Sequence, residues 1–304
     1  MEIIKVRKQP ELLTALLSLD KRMTLPVQEK QHIVNMEKGY LGEKLFDSMV
    51  EKLVDTDVIV LNDLLLRISE QSVQIDSLIL TSETAYLYEI KKYKGDYQMR
   101  SGHLLTLTGQ EIGNPLTQLK RTASLLRQLF QQWKVTMLVE PAVIYVNPGF
   151  SLYHASPEDP IILPNQMTAH FIKVNRQRQS LAKKHRYLAE RLLSEHRIDV
   201  PFQKQLPAYD CCSLRKGITC GKCDSFDIEL GQRMTRCTKC THSLSTNKII
   251  VEQVEEFKLL FPNMKMTTKL MHEWCGKSIP KDRITRVLSE NYNKRGKTLG
   301  SFYE

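Results

Sequence analysis

Apolar residues recur at helical spacing in two long stretches of the first half of the chain. In residues 37–54, EKGYLGEKLFDSMVEKLV, they follow the repeat of an amphipathic helix. Residues 114–133 show the same repeat, and Pro115 stands at a position that favours the start of a helix. Residues 10–35 are also predicted to be helical, with a break at Pro26.

Between these two helices the pattern changes to short runs rich in Val, Ile, Leu and Tyr, separated by polar turns. Such runs are typical of β-strands. We predict strands at 57–68, 73–80, 85–93 and 103–109, with one or two more within 135–147. Residues 148–175 are predicted to be loop-rich, and residues 178–196 to form a basic helix.

The order of these elements predicts an α/β fold in which helices flank a mixed sheet. No apolar run approaches the ~20 residues that are needed to span a membrane. Charges interrupt the apolar residues at the beginning of the sequence, which is unlike a secretory signal peptide. We therefore expect a cytoplasmic protein without a membrane partner.

Composition and charge suggest a further, basic module. The chain has 304 residues, 41% hydrophobic and 26% charged, which is typical of globular proteins and allows two or three domains. Residues 1–200 contain 26 Lys and Arg against 23 Asp and Glu, whereas residues 201–304 contain 18 against 11. The resulting +7 in the last third favours binding to a polyanion, although a solubilising surface would carry the same charge.

Three charged side chains interrupt the predicted strands. Asp76 lies in the strand at 73–80, while Glu89 and Lys91 are two residues apart and therefore share one face of the next strand. If the strands are neighbours, the three side chains converge. Two carboxylates suit Mg²⁺ or Mn²⁺, and a lysine beside the metal can orient or deprotonate a water or stabilise charge on a phosphate. The set indicates metal-dependent phosphodiester hydrolysis; a surface strand with alternating charge is the alternative.

Four short motifs occur in chain order around these residues. They are G-Y-L-G-E-K-L-F at 39–46, Q-I-D-S-L-I-L at 74–80, Y-E-I-K-K-Y-K-G at 88–95 and N-P-L-T-Q-L at 114–119. Together they resemble the nuclease-related domain, NERD, of the PD-(D/E)xK or restriction-endonuclease-like superfamily, over about residues 30–150. The resemblance implies a restriction-endonuclease-like core, a mixed sheet flanked by helices.

The resemblance also implies roles for five residues. Asp76 and Glu89 would be the carboxylates that bind Mg²⁺ or Mn²⁺, and Lys91 would be the catalytic lysine. Glu43 matches an acidic residue of the first helix, and Gln118 matches a polar residue of the later helix that faces the same site. For Glu43 and Gln118 a solvated position on a helix is the alternative.

Three neighbouring positions complete the comparison with the family motifs. Gln74 would be an accessory residue of the site. Many members of the family carry a histidine where this chain has Ser77, a departure that implies an altered environment and not a loss of activity. Lys92 is expected to face away from Lys91.

All seven cysteines lie after residue 210, and four of them form two C-x-x-C pairs. Their spacing is Cys220-x₂-Cys223-x₁₃-Cys237-x₂-Cys240. Two such turns present four thiolates that complete a tetrahedral Zn²⁺ site at ~2.3 Å per bond. Because no coordination position stays open, we predict a structural zinc ribbon; a redox pair is the alternative. Cys211, Cys212 and His242 are substitute ligands or bystanders, and Cys275 is predicted to pack in a core.

The end of the chain resembles a helix-turn-helix or winged-helix unit. Pro280 is predicted to start a recognition helix at 280–292, and the basic, glycine-containing tail is predicted to form a wing. The residues predicted to contact nucleic acid are Lys281, Arg283, Arg286, Lys294, Arg295 and Lys297. A protein-docking module is the alternative, since short three-helix units commonly bind proteins.

These observations divide the chain into five predicted segments. They are an N-terminal helical extension (1–29), the NERD nuclease-like domain (30–200), a linker (201–219), a small four-cysteine zinc ribbon (220–245) and a helical winged-helix-like module (246–304). The predicted function is a metal-dependent nuclease that hydrolyses phosphodiester bonds, with DNA as the favoured partner. A non-catalytic nucleic-acid-binding or regulatory protein and an RNA-processing nuclease are the alternatives, and homodimerisation stays open.

Overall fold

The computed structural model describes residues 1–177, 179–197, 202–296 and 301–304. The chain separates into two compact units. Unit 1 comprises Met1–Gln9 and Asn35–Val200, and unit 2 comprises Pro10–Val34 and Pro201–Glu304. The predicted N-terminal extension is thus divided between the two units.

The helices of the described residues follow the predicted pattern with one addition. They are α1 (Glu11–Arg22), α2 (Val27–Leu53), α3 (Pro115–Gln132), α4 (Met167–Asn175), α5 (Lys183–Ser194), α6 (Thr246–Leu260), α7 (Thr268–Trp274) and α8 (Lys281–Asn291). The helix predicted at 37–54 is the C-terminal part of α2, and α2 begins directly after Pro26. In the described part of the chain, none of these helices is both long and apolar enough to cross a membrane.

Each strand region predicted between residues 57 and 147 contains a strand, and further short strands lie in both units. They are β1 (Glu2–Lys5), β2 (Ile59–Ile68), β3 (Gln71–Leu80), β4 (Thr84–Lys91), β5 (Gly95–Arg100), β6 (His103–Thr106), β7 (Glu111–Ile112), β8 (Leu138–Tyr145), β9 (Phe150–Tyr153), β10 (Ile161–Ile162), β11 (Ile228–Leu230), β12 (Met234–Cys237), β13 (Ser243–Ser245), β14 (Lys294–Arg295) and β15 (Phe302–Tyr303). The prediction of a loop-rich region at 148–175 was wrong in part, because this region contains β9, β10 and the addition, α4.

The main sheet of unit 1 is mixed, with the strand order β1-β2-β3-β4-β8-β10. The neighbours β2, β3 and β4 are antiparallel, whereas β1 is parallel to β2 and β8 is parallel to β4 and β10. A second, four-stranded sheet has the order β7-β6-β5-β9. The predicted α/β class, with helices flanking a mixed sheet, is therefore confirmed.

Helices cover both faces of the main sheet. Leu126 of α3 and Leu192 of α5 belong to the core on one face. Phe46 of α2 and Phe171 of α4 belong to the core on the other. Because both faces are covered, β4 is buried along nearly its whole length. Burial of a charged side chain on such a strand costs free energy of folding unless the charge is paired, hydrogen-bonded or bound to a metal.

Unit 2 contains α1, the three later helices α6, α7 and α8, the three-stranded sheet β11-β12-β13 and the hairpin β14-β15. Arg22 of α1 is buried here, 2.5 Å from a carboxylate oxygen of Glu256 and 4.0 Å from the centre of the Trp274 ring. Leu214 and Ile218, which lie in the predicted linker, are buried as well. The small cysteine-bearing sheet and the helical region that follows it agree with the predicted fold class.

Candidate functional site

The candidate active site begins where β3 and β4 separate. Ser77 of β3 is the last residue to pair with β4 in this direction, opposite Tyr88. The side chain of the next residue, Asp76, then replaces the backbone acceptor: its Oδ2 accepts a 2.8 Å hydrogen bond from the backbone N–H of Ile90. This bond fixes the Asp76 carboxylate at the open end of the two strands.

Glu89 and Lys91 lie beside Asp76, on the same face of β4. The Lys91 ammonium lies 2.6 Å from Oε1 of Glu89, close enough for an ion pair. Within the described residues Glu89 Oε1 is buried, and it makes no hydrogen bond besides this contact with Lys91. A buried carboxylate oxygen in this state is suited to receive a cation or a water.

An open cleft of about 550 Å³ brings the predicted catalytic residues together. The predicted residues that line it are Glu43, Gln74, Asp76, Glu89, Lys91 and Gln118. They come from α2, from the neighbouring strands β3 and β4, and from α3, so three separate regions of the sequence meet at one place. The Gln118 amide is exposed on α3 and has no hydrogen-bond partner in the described part of the chain, which leaves it available to a ligand.

The close approach of α2 explains why Glu43 reaches this cleft. A Cβ atom on Gly42 would lie only 2.7 Å from Cβ of Lys92, so a larger residue at this position would push α2 away from the end of β4. Lys92 packs against α2 through this contact but, contrary to the expectation that it faces away, it lines the cleft together with Lys91, which pairs with Glu89. Gly42 therefore allows α2 to pack closely against the end of β4. As a result, the side chain of Glu43 reaches the site.

Arg7, which was not predicted from the sequence, donates hydrogen bonds to three acidic residues at or near the cleft. Its Nη1 donates to Glu43 Oε2 at 2.8 Å and its Nε donates to Asp47 Oδ2 at 2.9 Å. Its Nη2 donates to the backbone carbonyl of Asp76 at 2.8 Å. The side chain is almost fully buried. No local pattern marks Arg7, because its partners lie 36 to 69 residues away.

Burial and mutual repulsion raise the pKa values of the carboxylates in the cleft. Burial, followed by the charge of Asp76, raises the pKa of Glu43 to about 7 and that of Glu89 to about 7. Burial also raises the pKa of Asp76, although the Ile90 N–H and Lys91 oppose this shift. For Lys91, burial lowers the pKa but the carboxylates of Glu89 and Asp76 outweigh it, so the net shift is upward. Such a cluster favours a bound cation.

The serine that departs from the family motif points away from these groups. Ser77 is fully buried, and its hydroxyl donates a 2.8 Å hydrogen bond to Oδ1 of Asn62 on β2. Its side chain therefore contributes to the packing of β2 against β3 and does not reach the carboxylates.

The four cysteines form a second cluster, in unit 2. Their sulfur atoms all lie within 4.8 Å of one another, with 3.6 Å between Cys220 and Cys240 and 3.5 Å between Cys223 and Cys237. Tetrahedral coordination at ~2.3 Å per bond requires about 3.8 Å between sulfurs, so the arrangement could hold Zn²⁺. The cluster does not include Cys211, Cys212 or His242.

Each half of the cysteine cluster is a tight turn of the same kind. The backbone N–H of Asp224 donates to the carbonyl of Cys220, and that of Thr241 donates to the carbonyl of Cys237. Asp224 and Thr241 each have a φ of 58°, so the chain turns back directly after the second cysteine of each pair. Backbone N–H groups, first that of Cys240, lower the pKa of Cys237 to about 7. For Cys223 the backbone N–H of Ser225 lowers the pKa, but burial and hydrogen bonds with the other three thiols outweigh it, so the net shift is upward. The other predicted thiol, Cys275, is buried in unit 2.

The basic residues predicted to contact nucleic acid differ in their availability. Lys281, Arg286 and Lys294 are exposed. Arg295 is exposed and paired with Glu304 at 3.0 Å. Arg283 instead donates to Oδ1 of Asn247 and to the backbone carbonyl of Gln232, so it connects α8 to α6 and to the β11–β12 turn. Lys297 lies outside the described residues.

The mixed sheet with converging carboxylates and a lysine is the arrangement that the resemblance of the motifs implied. Residues 38–146 match the family model of the nuclease-related domain, NERD. This stretch of the chain is therefore a nuclease-related domain, as its motifs predicted. Comparisons with curated proteins and with solved structures gave no match. Arg7 lies outside the matched residues, whereas Glu43 and Gln118 lie within them.

Proposed function

We propose that this protein is a metal-dependent nuclease that hydrolyses phosphodiester bonds, with DNA as the favoured substrate. The observation that carries the proposal is the convergence of Asp76, Glu89 and Lys91 in one open cleft. A pair of buried carboxylates in an open cleft suits a hard cation such as Mg²⁺ or Mn²⁺. The nuclease-related domain at residues 38–146 supports the same class of reaction.

Each residue of the cleft has a distinct part in the proposed reaction. Asp76 and Glu89 would hold the cation, and Glu43 would add a third carboxylate directly or through a water. When bound, the cation would polarise the phosphate and lower the pKa of a water. Lys91 would hold that water or the phosphate oxygen in place with its ammonium group. The unpartnered amide of Gln118 would bind the water or a phosphate oxygen from the α3 side.

The test is cleavage by the purified full-length protein in Mg²⁺, in Mn²⁺ and in EDTA. Linear duplex, circular duplex and single-stranded DNA and the corresponding RNAs separate DNA from RNA specificity and endonuclease from exonuclease action. Metal-dependent cleavage that a Glu89→Gln variant lacks is the expected result. Absence of cleavage on all substrates with both metals would leave the non-catalytic alternative, whereas cleavage of RNA alone would favour the RNA-processing alternative.

Arg7 gives a prediction that depends on the metal. Arg7→Lys keeps the positive charge but loses the planar fork that holds Glu43, Asp47 and the Asp76 carbonyl together. We expect about a 10- to 100-fold loss of activity at low metal, as for other groups that orient metal ligands. The metal concentration for half-maximal activity should rise, and high Mn²⁺ should restore part of the rate.

The matched control for Arg7 is Arg67→Lys, the same substitution at an exposed position on β2 of the same unit. It should leave both the rate and the metal dependence unchanged. An equal loss of activity by Arg7→Lys at all metal concentrations would mean that Arg7 only stabilises the fold.

For unit 2 we propose a structural Zn²⁺ in the four-cysteine cluster and binding of duplex DNA by α8 and the β14–β15 hairpin. Lys281 and Arg286 are exposed on α8, and Lys294 is exposed on the hairpin. The net charge of +7 on residues 201–304 supports contact with phosphates. Since Arg283 already donates to Asn247 and Gln232, we assign it to holding α8 and not to binding DNA.

Lys281→Gln and Arg286→Gln test this assignment in the full-length protein. Each should weaken duplex binding several-fold and reduce the log–log salt slope by about 0.9, the value for one lost phosphate contact. Lys204→Gln, the same change of charge at an exposed position elsewhere in unit 2, is the control and should have no such effect. Equal behaviour of all three variants would favour a protein-docking role for this module.

A further inference from the structure

A second cleft of about 1040 Å³ adjoins the candidate active site along α3. The two clefts share Gln74, Lys91, Tyr93 and Gln118 as lining residues. The second cleft, here called the α3 groove, continues from these residues past Asn114 and Arg121. A polymer whose reacting bond lies at Lys91 must leave the site in some direction, and the α3 groove is a continuous open path.

The charges along the α3 groove favour an anionic occupant. Within its described lining the acidic side chain is Glu111, and its carboxylate lies 2.7 Å from Nδ1 of His103. Arg121 is exposed, and its guanidinium donates a 3.1 Å hydrogen bond to the neutral amide oxygen of Gln71. Arg121 has no acidic partner among the residues that the structure describes. The groove therefore presents a positive charge for which none of the described residues supplies a counterion.

The position of Arg121 fits a phosphate next to the reacting one. Arg121 lies one turn after Gln118 on α3, about 4.5 Å further along the helix axis. A guanidinium binds two phosphate oxygens at once, which fixes both the position and the orientation of the backbone. The half-buried ring of Tyr93 also lines the groove, stacks on Tyr97 with 5.6 Å between the ring centres, and can support a sugar or a base.

We propose that the α3 groove holds the nucleic-acid strand beside the scissile phosphate, and that Arg121 binds a phosphate of that strand. The proposal rests on the proposed nuclease function and adds to it the path of the substrate and a substrate-positioning residue. DNA and RNA strands share the phosphate chemistry that Arg121 would recognise, so both are included in the test.

The test measures binding of fluorescein-labelled single strands by the full-length protein that carries Asp76→Asn, a change chosen to prevent cleavage during the measurement. The probes are DNA and RNA strands of one sequence, each about twelve nucleotides long. Arg121→Gln should weaken binding about 3- to 10-fold at moderate salt and reduce the log–log salt slope by about 0.7, the value for one contact to a single strand. Arg121→Lys should keep the slope and lose part of the affinity, because it keeps the charge without the fork.

Lys120→Gln is the matched control, since Lys120 is exposed on the same helix but does not line the groove. Its affinity and slope should equal those of the Asp76→Asn parent. Equal effects of Arg121→Gln and Lys120→Gln on both probes would overturn the proposal. Cleavage assays separate the proposed binding of a strand in the α3 groove from the proposed nuclease function. If the wild type cleaves and Arg121→Gln binds like the control, the groove proposal is wrong and the nuclease proposal is kept. If the wild type cleaves nothing but Arg121→Gln alone loses binding, the groove stands and the catalytic proposal fails.

Discussion

Asp76→Asn, Glu89→Gln and Lys91→Met should each lower the rate of metal-dependent cleavage by about 10³-fold or more. Two of these changes remove a carboxylate that would hold the cation, and the third removes the ammonium 2.6 Å from Glu89. Initial rates at saturating metal are the measurement. Residual activity should not depend on which of the two carboxylates is lost, because the site works as a unit.

The free energy of unfolding of the metal-free protein should not fall in Glu89→Gln, although the rate of cleavage does. Burial and the charge of Asp76 raise the pKa of Glu89 to about 7, so its ionised form is costly in the metal-free protein. A neutral amide of the same shape avoids this cost, and in EDTA the free energy of unfolding of Glu89→Gln should equal or exceed that of the wild type. Lys91→Met should lower stability instead, because Glu89 loses its cationic partner.

Glu158→Gln is the control for both measurements, because Glu158 is exposed on a loop of unit 1 outside the cleft. It should change neither the rate nor the stability. Wild-type rates for Glu89→Gln at saturating metal would show that the activity comes from elsewhere. A loss of rate with a matching loss of stability would mean that the change only disturbed the fold.

The strands and the position of the carboxylates were predictable because both depend on local sequence. Residues two apart on a strand lie on the same face, so Glu89 and Lys91 share a face independently of the tertiary structure. Pairing between β3 and β4 followed from the short turn between them, residues 81–83. The convergence of Glu43 and Gln118 on the same cleft was expected from the family motifs alone, since helical periodicity places neither residue relative to the sheet.

Contacts between distant parts of the chain were not predictable from pattern. Arg7 meets the backbone of Asp76 across 69 residues, and Arg22 meets Glu256 across 234. In both cases the sequence shows only an arginine near an apolar segment, and nothing local indicates which carboxylate it will reach. The assignment of residues 10–34 to unit 2 depends on such contacts and could not be inferred from composition.

The helix α4 differs from these cases, because its signal is present in the sequence. Met167, Phe171 and Val174 recur at helical spacing and are all buried. The helix is only 9 residues long and follows a segment with several prolines. A periodic pattern over so short a stretch is weak evidence for a helix, and the surrounding turn residues favoured a loop.

Removal of zinc should unfold the ribbon and leave unit 1 intact. Between residues 220 and 245, all of which are described, the buried residues are Cys220, Thr235 and Cys237. Such a segment has almost no apolar core, so its folding would depend on the metal, whose binding contributes about 10–16 kcal/mol in comparable small domains. Unit 1 has large apolar cores on both faces of its sheet and should keep its structure.

Elemental analysis should find one zinc per chain in the purified protein, and Cys237→Ser should lose it. In this variant, hydrogen exchange should become fast at the backbone N–H of position 237, which in the wild type donates to the His242 carbonyl, and stay slow in β3 and β4. Since Arg283 donates to the carbonyl of Gln232 in the ribbon, exchange at the start of α8 should rise as well. Cys212→Ser, at an exposed cysteine outside the cluster, is the matched control and should keep zinc and slow exchange. Equal zinc content and equal exchange in the two serine variants would contradict a zinc site at these four cysteines.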